Sequence, residues 1–213
     1  MIAIKRCDNG EVIVEGDYES IAKCIEQNKD KNFYQADLRS ADLSFADLSS
    51  ANLSSADLRS ADLSSADLSY ANLNSADLRY ANLSYANLNS ANLSFANLSY
   101  ANLSFANLRY ADLNSANLNS ANLSFANLRS ADLRSANLNF ADLSKRYIQI
   151  AYIGSRKGMT TYCFDDDLIW CGCWEGSLKD FEARINETHK ENKQYLAEYL
   201  GFINYVKSLR DVK

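Results

Sequence analysis

Three cysteines and one histidine near the C-terminus, Cys163, Cys171, Cys173 and His189, are the residues of this chain best suited to chemistry. Thiolate and imidazole are zinc donors, and a thiol beside an imidazole can act as nucleophile and base. Their order, Cys-x7-Cys-x-Cys-x15-His, does not match an ordinary structural zinc spacing. Cys171 and Cys173 fall two apart, on one face of a strand, where free cysteine behaves as a small apolar residue. Structural thiols are the expectation, with a metal or redox role of the C-terminal region as the second alternative. His189 is the only histidine, and no nucleophile motif accompanies it. Asp165, Asp166 and Asp167 read as a solvated turn. No glycine loop for phosphate is found. The chain is expected to be no enzyme and to need no cofactor.

The elements around these residues read as a small α+β region over residues 146–213. RYIQIAYIG, TTYCF and DLIWCGCW look like strands, and Ser177 with Asp180 three residues on starts a helix. A second helix, from about 192 to 209, carries Tyr195, Tyr199, Phe202 and Val206 at helical spacing. That stripe packs on the strands, and what remains of it is the candidate contact for a homodimer. At the other end, residues 1–32 read as a ββα unit. Ile2 and Ile4 answer Val12 and Val14 across an Asp8-Asn9-Gly10 turn, and a helix runs through DYESIAKCIEQNKDKN.

Between them, residues 36–145 are 22 unbroken units of A-[DN]-L-x-x. KNFYQ (31–35) before them is a degenerate unit with Phe33 in the leucine slot, so the repeat region is residues 33–145. A period of five fits neither long helix nor long strand. About 100° per residue would scatter the leucines round a helix, and a side-chain period of 2 would flip Ala and Leu between faces of a strand. The pattern survives only if the chain turns once per unit, with Ala and Leu inside. Ser, Asn and Asp then make the corners, Asn and Asp taking any unusual backbone angle.

Such tandem units resemble the pentapeptide-repeat proteins. The resemblance implies an all-β solenoid, a right-handed quadrilateral β-helix with four units per coil. It places Leu38, Leu43 and their successors to Leu143 in the core, with the preceding alanines beside them. At four units per coil, 22 units give about 5.5 coils, with the ββα unit as N-terminal cap and the C-terminal region capping or dimerising. The segment IGSRKGMTTYCF…GCWEGSLKDFEARI resembles C-terminal extensions of some bacterial and phage members of unknown function.

The outer slots test the four-sided arrangement. Arginines at 39, 59 and 79 and at 109 and 129 recur every 20 residues, and Asp37, Asp57 and Asp77 share units with the first three. Two mixed-charge ladders on opposite sides are expected. In the fifth slot, Phe45, Tyr85, Phe105 and Phe125 fall in one column and Tyr80, Tyr100 and Phe140 in the next. Tyr80, Tyr85, Tyr100, Phe105 and Phe125 form the candidate protein-binding patch.

Charge narrows the function. The net of −5 divides into −2 for residues 1–35, −3 for 36–145 and 0 for 146–213. None is basic enough for nucleic acid. No apolar run spans a membrane and none resembles a secretory signal, and five cysteines without an export signal suggest a reducing cytoplasm. The expectation is a non-enzymatic structural or protein-interaction module whose partner the sequence does not name. The first alternative is DNA-mimic binding to a type II topoisomerase, as the resemblance implies for quinolone-resistance members. It needs strong acidity, and the arginines interrupt what acidity there is.

Overall fold

The computed structural model describes residues 1–145, 147–154, 158–172 and 174–210. The chain divides into two compact units, Met1–Ser144 and Lys145–Lys213.

In the first unit, parallel bridges join residues 20 apart, from Asp37–Asp57 through to Asn122–Asp142. Four five-residue pieces therefore make one coil, and like slots stack in columns. Residues 91–95, ANLSF, show why the pattern has its form, because all five backbone N–H groups find an acceptor. Ala91 N–H donates to the Leu88 carbonyl at 3.1 Å, closing a turn, and Asn92 donates back one coil to Ala71 at 2.9 Å. Leu93 donates forward to Asp112 at 2.7 Å and Phe95 to Asn114 at 3.0 Å. The Ser94 N–H has no backbone acceptor; the Asn92 side-chain oxygen receives it at 3.0 Å. Slot two must therefore be Asp or Asn: a short side chain with an oxygen that folds onto slot four.

The corner chemistry differs from the sequence expectation. Positive φ falls on the fifth slot, on Ser, Tyr and Phe alike, from Ser40 (53°) to Phe140 (59°). Asp and Asn sit in the bridged segment instead. The Leu-to-Ala turn with positive φ at its third residue resembles type II, which ordinarily favours glycine there. Each such residue costs about 1 kcal/mol. The hydrogen bonds of slots one, two, three and five offset that cost, because only this corner brings the next unit into register.

The alanines and leucines form the core. Leucines 38 to 128 are at most 2 % exposed, each burial contributing about 1.5–3 kcal/mol. Leu133, Leu138 and Leu143, in the last three repeat units, are only half-buried, a departure from the expected uniform core. Phe33 is fully buried, and Gln35 has the fifth-slot φ of 56°.

At the first coil, strands β1 (Ile2–Lys5) and β2 (Val12–Gly16) pair antiparallel, with Ile4 opposite Val14. Arg6 bridges Ala36, and Asp37 N–H donates to the Lys5 carbonyl at 2.7 Å. Helix α1 (Ile21–Glu26) is N-capped by Ser20 and much shorter than the stretch expected from sequence. It ends on Glu26, whose Oε1 accepts the Asp47 N–H at 3.0 Å, in place of the carbonyl a preceding coil would supply. Lys29 Nζ lies 2.5 Å from Asp47, and with Ser49 it pulls the Asp47 carboxyl down to about 2. A lowered carboxylate contributes stability that is complete above its unfolded pKa and is lost as pH falls through the folded one. The melting-temperature gap between wild type and Lys29→Met should thus persist near neutrality and close as the pH falls towards about 2. Melts followed by circular dichroism across that range check it; a gap independent of pH overturns it.

The second unit is a four-stranded antiparallel sheet in the order β3-β4-β5-β6, comprising β3 (Tyr147–Ile153), β4 (Gly158–Cys163), β5 (Leu168–Cys171) and β6 (Trp174–Gly176). Helix α2 (Leu178–Thr188) starts at Ser177, whose hydroxyl accepts the Asp180 N–H at 3.1 Å. Helix α3 (Lys193–Arg210) completes the unit. DLIWCGCW is not one strand: a turn with Gly172 at φ 61° divides it into β5 and β6. Among the described residues, no helix is long and apolar enough to cross a membrane.

Candidate functional site

The fifth-slot aromatics lie on the outside of the coils. Their backbone makes them columns, since each fifth-slot N–H from Ser40 to Ser120 donates to a fourth-slot carbonyl of the next coil, as Tyr85 does to Ser104 at 3.0 Å. Tyr85, Phe105 and Phe125 stack with centroids 4.9 Å apart and interplanar angles of 2° and 12°. Tyr80 and Tyr100 stack at 5.2 Å and 9°. The five expected patch residues thus form two stacks, with no ring contact between the stacks among the described residues. Phe45 and Phe140 share the columns but stand alone, because Ser65 and Ser120 interrupt them. All five remain exposed, from 47 % at Phe105 to 62 % at Tyr85 and Phe125. Stacking adds about 0.5–1.5 kcal/mol per pair and leaves the ring edges to solvent.

The first arginine ladder is present. Arg39, Arg59 and Arg79 each hold the Asp of their own unit at 2.6–2.7 Å, and Arg39 and Arg59 reach the next coil's Asp at 3.7 and 3.6 Å. Three carboxylates stacked on one column would repel, and the guanidinium groups between them remove that repulsion. The Arg39 hydrogen bond holds Asp37 below the usual carboxylate range. The 109/129 column is different, for its slot-two residues are Asn107 and Asn127. Arg109 instead lies over the Tyr110 ring at 5.2 Å, with its Nε buried and without an acceptor.

Sequence reasoning missed the amide ladders. Asn87 donates to Asp67 at 3.0 Å and accepts from Asn107 at 3.1 Å, and Asn82 and Asn102 continue from Asp62 in the same way. The signal was available. At 62/82/102 and at 67/87/107 an Asp is followed by two Asn, and an acceptor-only carboxylate can take the amide that the next Asn offers but donates none in return.

The cysteines do not converge. Burial pushes the Cys163 thiol up, and its sulfur lies 3.5 Å from Asp166. The half-buried Cys171 accepts from the Thr160 hydroxyl at 3.3 Å. Cys173 lies outside the described residues. His189 stacks on Tyr199 with centroids 5.4 Å apart. Among the described residues, no group of three or more His, Cys, Asp or Glu could hold a metal ion.

The expected dimer contact is corrected by burial. Tyr199, Phe202 and Val206 are at most 3 % exposed and Tyr195 is half-buried. The first three pack with Tyr162, Ile169 and Phe181 in their own unit's core. A four-stranded sheet needs that whole face of α3, so the stripe is not available to a second copy.

Stacked five-residue units with Ala and Leu inside and Asp or Asn satisfying the corner define a coil-forming repeat protein. The family described as pentapeptide repeats matches in eight copies, over residues 29–54, 56–94, 86–124, 96–134 and 111–145. The chain belongs to that family. The flanking segments lie outside the match. Among solved structures, a pentapeptide repeat protein from the Arabidopsis thaliana thylakoid lumen is 32 % identical over 45 % of this chain and 63 % of its own, with a TM-score of 0.36. One from Nostoc PCC 7120 is 37 % identical over 47 % of this chain and 83 % of its own, at 0.42. QnrB1, a plasmid-mediated fluoroquinolone resistance protein, is 25 % identical over 48 % and 59 %, at 0.25. This chain thus spans less than two thirds of the first and third of these. No curated protein matches it.

Proposed function

We propose that the chain is a non-catalytic protein-interaction module whose contact surface is the pair of aromatic stacks on the repeat coils. The observation that carries this is the exposure of Tyr80, Tyr85, Tyr100, Phe105 and Phe125 in ordered columns, since contiguous exposed apolar surface marks interaction sites. The 20-residue bridges support a right-handed quadrilateral β-helix of about 5.5 coils. The Arg6–Ala36 bridge and the Glu26–Asp47 hydrogen bond support the ββα unit as its N-terminal cap. The unpaired thiols of Cys7, Cys24, Cys163 and Cys171 support a reducing cytoplasmic setting. The mild acidity, neutralised on one column by arginine, speaks against both nucleic-acid binding and mimicry of DNA.

The test is a comparison of proteins captured from the native host by wild type and by a Tyr85→Ala/Tyr100→Ala/Phe105→Ala variant, with melts to show both folded. A protein held by wild type, lost by the variant and rebinding in purified form is the expected result. An unchanged set of captured proteins overturns the reading.

A further inference from the structure

The column that carries Tyr85, Phe105 and Phe125 is broken once, at Ser65, and beyond the break stands Phe45. The five positions have one backbone direction. Their φ values are 58° at Phe45 and Ser65, 60° at Tyr85 and 59° at Phe105 and Phe125. Phe45, Ser65 and Tyr85 each donate to the next coil's fourth-slot carbonyl at 2.9–3.0 Å. Side chains therefore leave each rung alike. Phe105 shows what one rung holds: a ring stacked at 4.9 Å on both neighbours. At Ser65 the rung is one ring short, with an aromatic rung on either side. Exposure follows, falling from 78 % at Phe45 to 62 % at Tyr85 and 47 % at Phe105, which is stacked on both faces.

Charge selects what fits. Asp62 and Asp67 flank Ser65 along the chain, and Asp42 and Asp47 flank Phe45 one coil earlier. Lys29 neutralises Asp47. Asp42, Asp62 and Asp67 hydrogen-bond only to N–H and hydroxyl groups of Ser44, Ser64, Ser69, Asn82 and Asn87, and no cation pairs with them among the described residues. Two other columns have the same kind of break, at Ser90 between Tyr70 and Tyr110 and at Ser120 between Tyr100 and Phe140. In the slots equivalent to Asp62 and Asp67, the second of the broken unit and of the next, both have Asn: Asn87 and Asn92, Asn117 and Asn122. Of the three broken rungs, only Ser65 lies between two aspartates along the chain.

Resting on the interaction-module reading, we propose that the Ser65 break is a docking site for an aromatic side chain carried on a basic segment of a partner protein. The ring takes the missing rung between Phe45 and Tyr85, and flanking Arg or Lys side chains meet Asp42, Asp62 and Asp67. The same carboxylates repel phosphate, which disfavours an unstacked base of a nucleic acid.

The probe is the blocked tripeptide Arg-Trp-Arg, titrated into the 15N-labelled full chain, with Glu-Trp-Glu, Arg-Leu-Arg and oligothymidine as comparisons. Arg-Trp-Arg alone is expected to shift the amides of residues 45, 64–67 and 84–85. Ser65→Phe completes the stack from within, so it should raise the melting temperature by about 2–6 °C and weaken the peptide by about tenfold or more. Phe45→Ala should weaken it with the fold intact, whereas Ser120→Phe should leave it unchanged. Equal binding by Glu-Trp-Glu, Arg-Leu-Arg or oligothymidine overturns the proposal, as does unaltered affinity in both Ser65→Phe and Phe45→Ala, or the absence of any shift. Both variants keep the five stacked aromatics. Failure here with partner capture intact therefore removes this site and leaves the wider surface standing.

Discussion

Replacing Leu93 by aspartate should unfold the repeat coils at ordinary temperatures, whereas Ser75→Asp should leave the melting temperature close to wild type. Leu93 is fully buried, with Leu73 and Leu113 in the same column one coil before and after, both fully buried as well. Removing the leucine side chain alone costs about 2–5 kcal/mol, and the carboxylate adds the cost of a buried charge without a partner. The sum reaches a large part of a whole domain's stability, about 5–15 kcal/mol. Coils couple only to their neighbours, so a failure in the middle separates the stack into two halves. Ser75 is exposed, its hydroxyl donates only to Asn74 Oδ1 at 3.1 Å, and aspartate tolerates the positive φ found there. Ser94, adjacent to Leu93 and formally an outer residue, is 7 % exposed and holds the Asn74 amide at 2.8 Å. Ser94→Asp should fall between the other two. Chemical and thermal unfolding by circular dichroism rank the three; equal losses at Leu93 and Ser75 overturn the inside–outside assignment.

That ranking marks where sequence and structure part. Which residues are buried is carried by the five-residue period, because an inward Ala and Leu in every unit leave no other way to hide them. The coil length was legible too, since Arg39, Arg59 and Arg79 recur at the 20 residues that the bridges join. The backbone sign at the corner was not. A serine or phenylalanine at positive φ is a local cost that nothing in its own chemistry announces, and it persists because four hydrogen bonds of the unit depend on it. Long-range competition likewise hid the fate of α3, whose wide apolar stripe was consumed by the sheet beneath it. Along the chain the fifth-slot aromatics lie 15 or 25 residues apart more often than 20, a pattern that marks no single face. Only partners 20 apart touch, which separates the Tyr85 and Tyr80 stacks from the solitary Phe95.

Asn87→Asp, an exchange of one atom type on a partly buried outer slot, should destabilise the chain by about 1–3 kcal/mol, and Asp67→Asn should restore most of that loss. Asn87 does three things at once. Its Oδ1 accepts the Asn89 N–H at 3.3 Å and the Asn107 amide at 3.1 Å, while its Nδ2 donates to Asp67 at 3.0 Å. Aspartate keeps both accepted bonds and loses the donated one, setting two carboxylate oxygens where a hydrogen bond was. The 37/57/77 column tolerates stacked aspartates because arginines stand between them. At position 89 the chain has Asn and at 69 Ser, so no such cation is at hand. The repulsion should shrink on acidification, as protonation of either carboxyl restores a donor between the oxygens. In the Asp67→Asn/Asn87→Asp double variant an amide again faces a carboxylate, and the hydrogen bond reforms with its direction reversed. A double-mutant cycle of unfolding free energies, at neutral and at acidic pH, reads the coupling directly. Additive losses at both pH values would mean that the order of Asp and Asn down a column carries no energy, and that slot two serves only the corner of its own unit.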